Sequence, residues 1–319
     1  MAERGMKAVL YINNTWEWSG GYGMYLEWAG AGKALIPAID GYVPFMNSVS
    51  RFVTNEKAKE LFYNHVKHVV SRTNTVTGKP YKDDPAIFSW QIGNEPRCFR
   101  SDSTGRAAFV DFMWTTASLI KSIDPNHMVS SGSEGSWGCE NSMDLYEKIH
   151  SCPDIDYMNI HIWPYNWNWV RENTLVTNLP VAIKNTDDYI DAHLALAAKY
   201  GKAESFLYFH IPLVEYNNVF RADENGRYVP SGEAEILYGE QYESTGSSCY
   251  NSGMFDAMLE KGGQAVFCGH DHVNDWCAIY KGVHLTYNLP GGYAVYRCRH
   301  PETAGGPDAV HRLLLLASD

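Results

Sequence analysis

The sequence predicts an α/β protein built in two parts. Strand and helix signals alternate over the first 200 residues, each strand ends in polar residues, and the texture of the chain changes near residues 201–204. Parallel strands need a crossover, usually a helix, between them, so this alternation is the pattern of a parallel sheet or barrel.

Residues 7–12 read as a short buried strand that runs into polar Asn13-Asn14. A helix is expected over 55–71, where Ala58, Leu61, Phe62, His65 and Val69 fall on one face. Residues 86–92 form the next strand and 107–122 the next helix, followed by short strands at 127–130 and 157–161. A helix over 186–200 has Asp187 and Asp188 near its start and Gly201 as its stop. Nine of the ten tryptophans precede residue 201, which marks the change of texture. Beyond it come a strand at 205–212, a Gly/Glu/Tyr/Ser-rich stretch at 221–250, a helix at 253–260 and a strand at 265–268. The leucine run Leu313 to Leu316 suggests a last strand within 303–319.

Composition narrows the function. A net charge of −11 argues against nucleic acid or an anionic membrane as partner, since both reward a basic face. No run of about 18 apolar residues occurs, so no membrane span is expected. The first residues lack the apolar core of a signal peptide, which leaves either a cytoplasmic protein or a natural N-terminus that lies elsewhere. Cysteines 98, 139, 152, 249, 268, 277 and 298 are scattered without a CxxC pair, as buried, reduced packing residues would be.

The strand near residue 90 delivers Asn94-Glu95-Pro96-Arg97 at its C-terminal end, where barrel enzymes place their chemistry. A glycosidase needs a carboxylic acid to protonate the leaving oxygen. A retaining one needs a second carboxylate about 5 Å away to attack the anomeric carbon. The Asn94 amide suits a sugar 2-hydroxyl, and Trp16, Trp18, Trp28, Trp137, Trp163, Trp167 and Trp169 suit stacking on sugar faces. Taken alone, Asn-Glu-Pro is more often a strand-to-loop turn, and tryptophans are more often core.

The stretches Leu10-Tyr11-Ile12-Asn13-Asn14-Thr15-Trp16-Glu17-Trp18-Ser19-Gly20-Gly21, Tyr81-Lys82-Asp83-Asp84-Pro85-Ala86-Ile87 and Trp90-Gln91-Ile92-Gly93-Asn94-Glu95-Pro96-Arg97 decide against that plainer view. In this order, residues 1–202 resemble family 5 glycoside hydrolases, closest to the endo-β-1,4-mannanase branch. The resemblance implies Glu95 as the acid/base and Asn94 as its 2-hydroxyl-binding neighbour. It implies His161 and Trp163 as substrate-binding residues on the sixth barrel strand, and Trp16 and Trp18 as subsite residues on the loop after the third. Family members are commonly exported, and their chemistry uses no cofactor. The chain departs from the pattern in lacking the first two barrel strands and the phrase that carries the nucleophile. Glu215, 120 residues after Glu95 at the end of an apolar stretch, is the candidate replacement.

A second pattern follows. Phe209-His210-Ile211-Pro212-Leu213-Val214-Glu215-Tyr216, Asn251-Ser252-Gly253-Met254-Phe255 and Val266-Phe267-Cys268-Gly269-His270-Asp271-His272-Val273-Asn274-Asp275 resemble the C-terminal half of calcineurin-like metallophosphoesterases, over residues 204–296. There His210 and His270 would ligate one divalent metal (Mn, Fe or Zn) and His272 a second, and Glu215 would be a structural carboxylate. The Asp-x-His, Gly-Asp and Gly-Asn-His motifs that this family supplies from its N-terminal half are absent.

The two resemblances imply a partial (β/α)8 barrel of about strands 3–6 over 1–202, followed by a β-rich half of a metallophosphoesterase sandwich over 203–319. The second part would either complete the parallel sheet as a hybrid or leave open sheet edges for self-association. The expected function is that of a retaining glycoside hydrolase on β-mannan-type polysaccharide. Alternatives are a metal-dependent phosphoesterase and a catalytically inactive carbohydrate-binding or chimeric remnant.

Overall fold

The computed structural model describes residues 8–202 and 206–287, which fall into two compact units. One comprises 8–168 with 192–202, the other 169–191 with 206–287.

The first unit is built on a parallel sheet of β1 (Ala8–Tyr11), β2 (Ile87–Gln91) and β3 (Met128–Ser130), in that spatial order. The strand expected at 157–161 is reduced to a single parallel bridge between Ser130 and Tyr157. The Ser89 hydroxyl, hydrogen-bonded to the Tyr157 hydroxyl at 2.7 Å, links this segment to β2. Between β1 and β2 lie α1 (Gly21–Trp28), α2 (Pro37–Asp40), α3 (Tyr42–Val49) and α4 (Glu56–Val70), and α5 (Ser103–Ile123) joins β2 to β3. α6 (Met143–His150) follows β3.

The long helices begin where side chains can take up orphan backbone donors. Asn55 accepts from the Ala58 N–H at 2.9 Å, Asp102 from Gly105 at 2.8 Å and Ser142 from Leu145 at 3.2 Å. Their apolar faces close on an aromatic core in which Tyr22 stacks on Phe52 at 4.2 Å and Phe52 meets Phe112 edge-on at 5.2 Å. Trp90 is fully buried in this layer, and its indole N–H donates to the buried Asp124 carboxylate at 2.7 Å.

α7 (Leu175–Lys199) begins eleven residues earlier than the sequence suggests, because the helix carries Pro180 inside it instead of starting beyond it. The second unit then holds β4 (Phe206–Phe209), the two-stranded pair β5 (Phe220–Ala222) and β6 (Tyr228–Pro230), β7 (Glu235–Glu240) and α8 (Met254–Lys261). β8 (Ala265–Cys268), β9 (Asp275–Tyr280) and β10 (Val283–Tyr287) complete a mixed sheet of order β4-β8-β10-β9-β7. β8 is parallel to both β4 and β10, while β9 runs antiparallel to β10 and β7. Tyr216 is buried under this sheet and donates to the carbonyls of Val266 and Thr286, beside fully buried Trp276 and Tyr287.

Completion of the parallel sheet by C-terminal strands is therefore not what forms. Among the described residues β1–β3 and β4-β8-β10-β9-β7 are separate hydrogen-bonded sheets, because β4 takes its partner from β8. The strand expected within 303–319 lies outside the described residues. Cys98, Cys139, Cys152, Cys268 and Cys277 are buried free thiols and Cys249 is exposed.

Candidate active site

The backbone beyond β2 sets the position of Glu95. The Asn94 N–H donates to the Asn13 carbonyl at 2.8 Å, and the Asn94 carbonyl accepts from Thr15, so the loops after β1 and β2 are tied together. The Glu95 N–H donates to the Gly132 carbonyl at 3.0 Å, which ties in the loop after β3. Between these anchors Glu95 has φ of 51°, the left-handed region that a residue with a Cβ rarely occupies. Such strain persists only where surrounding contacts hold it, and it clusters at functional sites.

Gly132 makes the approach possible. Its φ is 74°, and a Cβ there would lie 1.8 Å from the Gly93 carbonyl oxygen. Only glycine lets the loops after β2 and β3 come this close.

Three N–H donors converge on the Glu95 carboxylate. Trp16 Nε1 donates to Oε2 at 2.8 Å, while His161 Nδ1 and Trp163 Nε1 approach Oε1 at 2.9 and 3.1 Å. The Glu95 side chain is only 12% exposed, and burial alone would raise its pKa. The bonds from His161, Trp16 and Trp163, with the His161 charge, outweigh burial and hold the carboxyl below the usual glutamate range.

The aromatic surface extends outward from this cage. Trp16 stacks on Phe45 at 5.8 Å and has Tyr42, Phe99 and Trp18 around it at 5.7–6.3 Å. Trp18 and Trp163 are 57% and 49% exposed, open faces of the kind sugars stack on. The other tryptophans singled out from sequence do different work. Trp137 and Trp167 stack on each other at 4.6 Å, Trp28 packs edge-on against Tyr25, and Trp169 meets Tyr189.

One charged residue of this site was not anticipated from sequence. Glu134, buried in the loop after β3, accepts from Arg97 Nε and Nη2, both at 2.5 Å. Burial raises its carboxyl above the ordinary value, and the Glu95 charge adds to this while Arg97 opposes it. The signal was present: Glu134 follows the end of β3 at the same spacing as Glu95 follows the end of β2.

Glu215 and the three histidines belong to the second unit. Glu215 is buried in a short 3-10 turn, and its carboxylate accepts from Asn251 Nδ2 at 2.7 Å. His270, itself at a φ of 64°, places Nδ1 3.2 Å from His210 Nε2. His272 does not join them, and among the described residues no three His, Cys, Asp or Glu side chains gather as a metal centre requires. Of the three histidines expected to hold Mn, Fe or Zn, the structure thus brings His210 and His270 together, the pair assigned to one metal, with His272 apart from them.

The pattern described as "GH family 5 beta-mannosidase-like" matches residues 1–209, well over half of the chain. The chain belongs to that family. A mannan endo-1,4-β-mannosidase of Arabidopsis thaliana is 36% identical over 176 residues, 51% of this chain and 38% of the relative. One from Oryza sativa is 28% identical over 264 residues, 78% of this chain and 54% of the relative. The crystal structure of a family 5 mannosidase from Rhizomucor miehei aligns with a TM-score of 0.53 at 30% identity, over 67% of this chain and 49% of that one. An endo-β-1,4-mannanase from Thermotoga petrophila aligns at 0.55 and 20% identity over 84% of this chain and 50% of its own, which shows the fold alone. The chain thus spans about half or less of these relatives. With the parallel strands β1–β3, these likenesses make residues 8–168 part of a (β/α)8 barrel. They concern glycoside hydrolases and lend nothing to the phosphoesterase resemblance of 204–296. No described helix is long and apolar enough to cross a membrane.

Proposed function

We propose that this chain carries the acid/base half of a retaining β-mannan hydrolase site, with Glu95 as the acid/base. The observation that supports this most is the convergence of Trp16, His161 and Trp163 on one strained glutamate at the end of a parallel strand.

Mechanistically, Glu95 protonates the departing glycosidic oxygen and later takes a proton from the incoming water. Asn94, on the same turn, holds the 2-hydroxyl, while Trp16, Trp18 and Trp163 bind the sugar faces. The donors around Glu95 favour its charged form. They therefore suit the base step and hinder the acid step at neutral pH. The second carboxylate limits the reaction. Glu215 is the sequence's candidate, but its carboxylate is buried and engaged by Asn251. The proposal is therefore firm oligosaccharide binding with slow turnover, since losing one member of a catalytic unit costs several orders of magnitude in rate.

Titrating the protein with manno-oligosaccharides tests this. Quenching of tryptophan fluorescence by mannohexaose, stronger than by cellohexaose, is expected, with reducing ends released slowly from mannan. Absence of both quenching and release would rule the proposal out.

A further inference from the structure

The geometry points to Glu134 as a positioning residue that fixes both flanks of the Glu95 cage and balances the charge of Arg97 beside it. This deepens the assignment of Glu95 above and rests on it. On one flank, Glu134 Oε2 holds Arg97 through Nε and Nη2 at 2.5 Å. Arg97 in turn lies over the Trp16 ring, 5.5 Å from its centroid, and Trp16 Nε1 donates to Glu95 Oε2. On the other flank, the backbone carbonyl of Glu134 accepts from the His161 N–H at 3.2 Å, and His161 Nδ1 donates to Glu95 Oε1. One buried residue thus orders the donors to both oxygens of the carboxylate.

The charges give Glu134 a second effect. Arg97 lies over the ring that donates to Glu95, and an unbalanced guanidinium there would favour the ionised form of Glu95 over the protonated form an acid catalyst needs. The Glu134 carboxylate neutralises Arg97 and repels a charge on Glu95, so it keeps the protonated form of Glu95 within reach. The side chain of Glu134 is 2% exposed and that of Arg97 is 16% exposed, so solvent screens the pair little.

The test is a titration of the Glu95 Cδ resonance in protein labelled with δ-13C glutamate, assigned by its loss in Glu95→Gln. In Glu134→Gln the Glu95 midpoint falls, because Arg97 is left unbalanced. In Arg97→Gln it rises, because the Glu134 charge is left unbalanced, and in the double variant it returns toward the wild-type value. This readout needs no turnover, so it separates the role of Glu134 from the hydrolase assignment itself. Folded single variants whose midpoints do not move, or both move in one direction, would overturn the inference. If Glu134→Gln fails to fold, Arg97→Gln and the double variant still decide it: no rise in the first, or no return in the second, overturns it.

Discussion

Trp16 and Glu95 stand 79 residues apart in sequence, yet the Trp16 indole N–H donates to Glu95 Oε2 at 2.8 Å. That bond joins the loop after β1 to the loop after β2 at the Glu95 carboxylate. It also biases the carboxyl toward its charged form.

Trp16→Phe keeps an aromatic ring and removes the donor. The Glu95 midpoint is expected to rise, since one stabiliser of the carboxylate is gone. Whatever mannan cleavage the protein shows should keep its activity to a higher pH on the alkaline side. The Cδ titration and a pH–rate profile measure the two effects; a midpoint that falls would contradict the account.

Gly132→Ala sets a Cβ against the Gly93 carbonyl at a backbone angle that disfavours it. A loss on the order of 2–4 kcal/mol is expected from strain and forced separation of the loops. Urea unfolding measures it, and oligosaccharide binding should weaken along with it. A stability change below about 0.5 kcal/mol would mean the loops part freely.

His150 makes stability depend on pH. It is fully buried, with Nδ1 donating to the Tyr146 carbonyl and Nε2 accepting from Ser131, both at 2.8 Å. Burial pushes its pKa from 6.5 down to about 3. The unfolded chain takes up this proton at higher pH than the folded one. The contribution is thus complete above pH 6.5 and is lost as the pH falls toward 3, at up to about 1.4 kcal/mol per pH unit. Urea midpoints of wild type and His150→Gln between pH 7 and 4 check this: the variant should lose part of the slope. Equal slopes would place the acid sensitivity elsewhere.

What the sequence made legible was local. β2 and its Asn94-Glu95 turn could be read because an apolar strand and its polar exit are adjacent in the chain. His161, Trp163 and Trp16 came through family resemblance, and the structure brings all three to Glu95. Glu134 was missed because its significance lies in Arg97, 37 residues away. The antiparallel pair β9–β10 was missed for a different reason. Its two-residue turn, Lys281-Gly282, has positive φ at both positions, yet Lys-Gly is a much weaker turn signal than Asn-Gly or Asp-Gly. The approach of His270 to His210 could not be read with its geometry, because strand-end spacing says nothing of the direction in which a turn sends each imidazole.

The central claim is that Glu95 is the acid/base of a mannan-cleaving site, and single-turnover cleavage of β-1,4-mannohexaose by wild type and Glu95→Gln tests it most directly. The account predicts that both bind the oligosaccharide and that the wild type cleaves it at least about 100-fold faster, the scale of a general acid–base contribution. A wild-type rate no higher than that of Glu95→Gln, with binding intact, would contradict it.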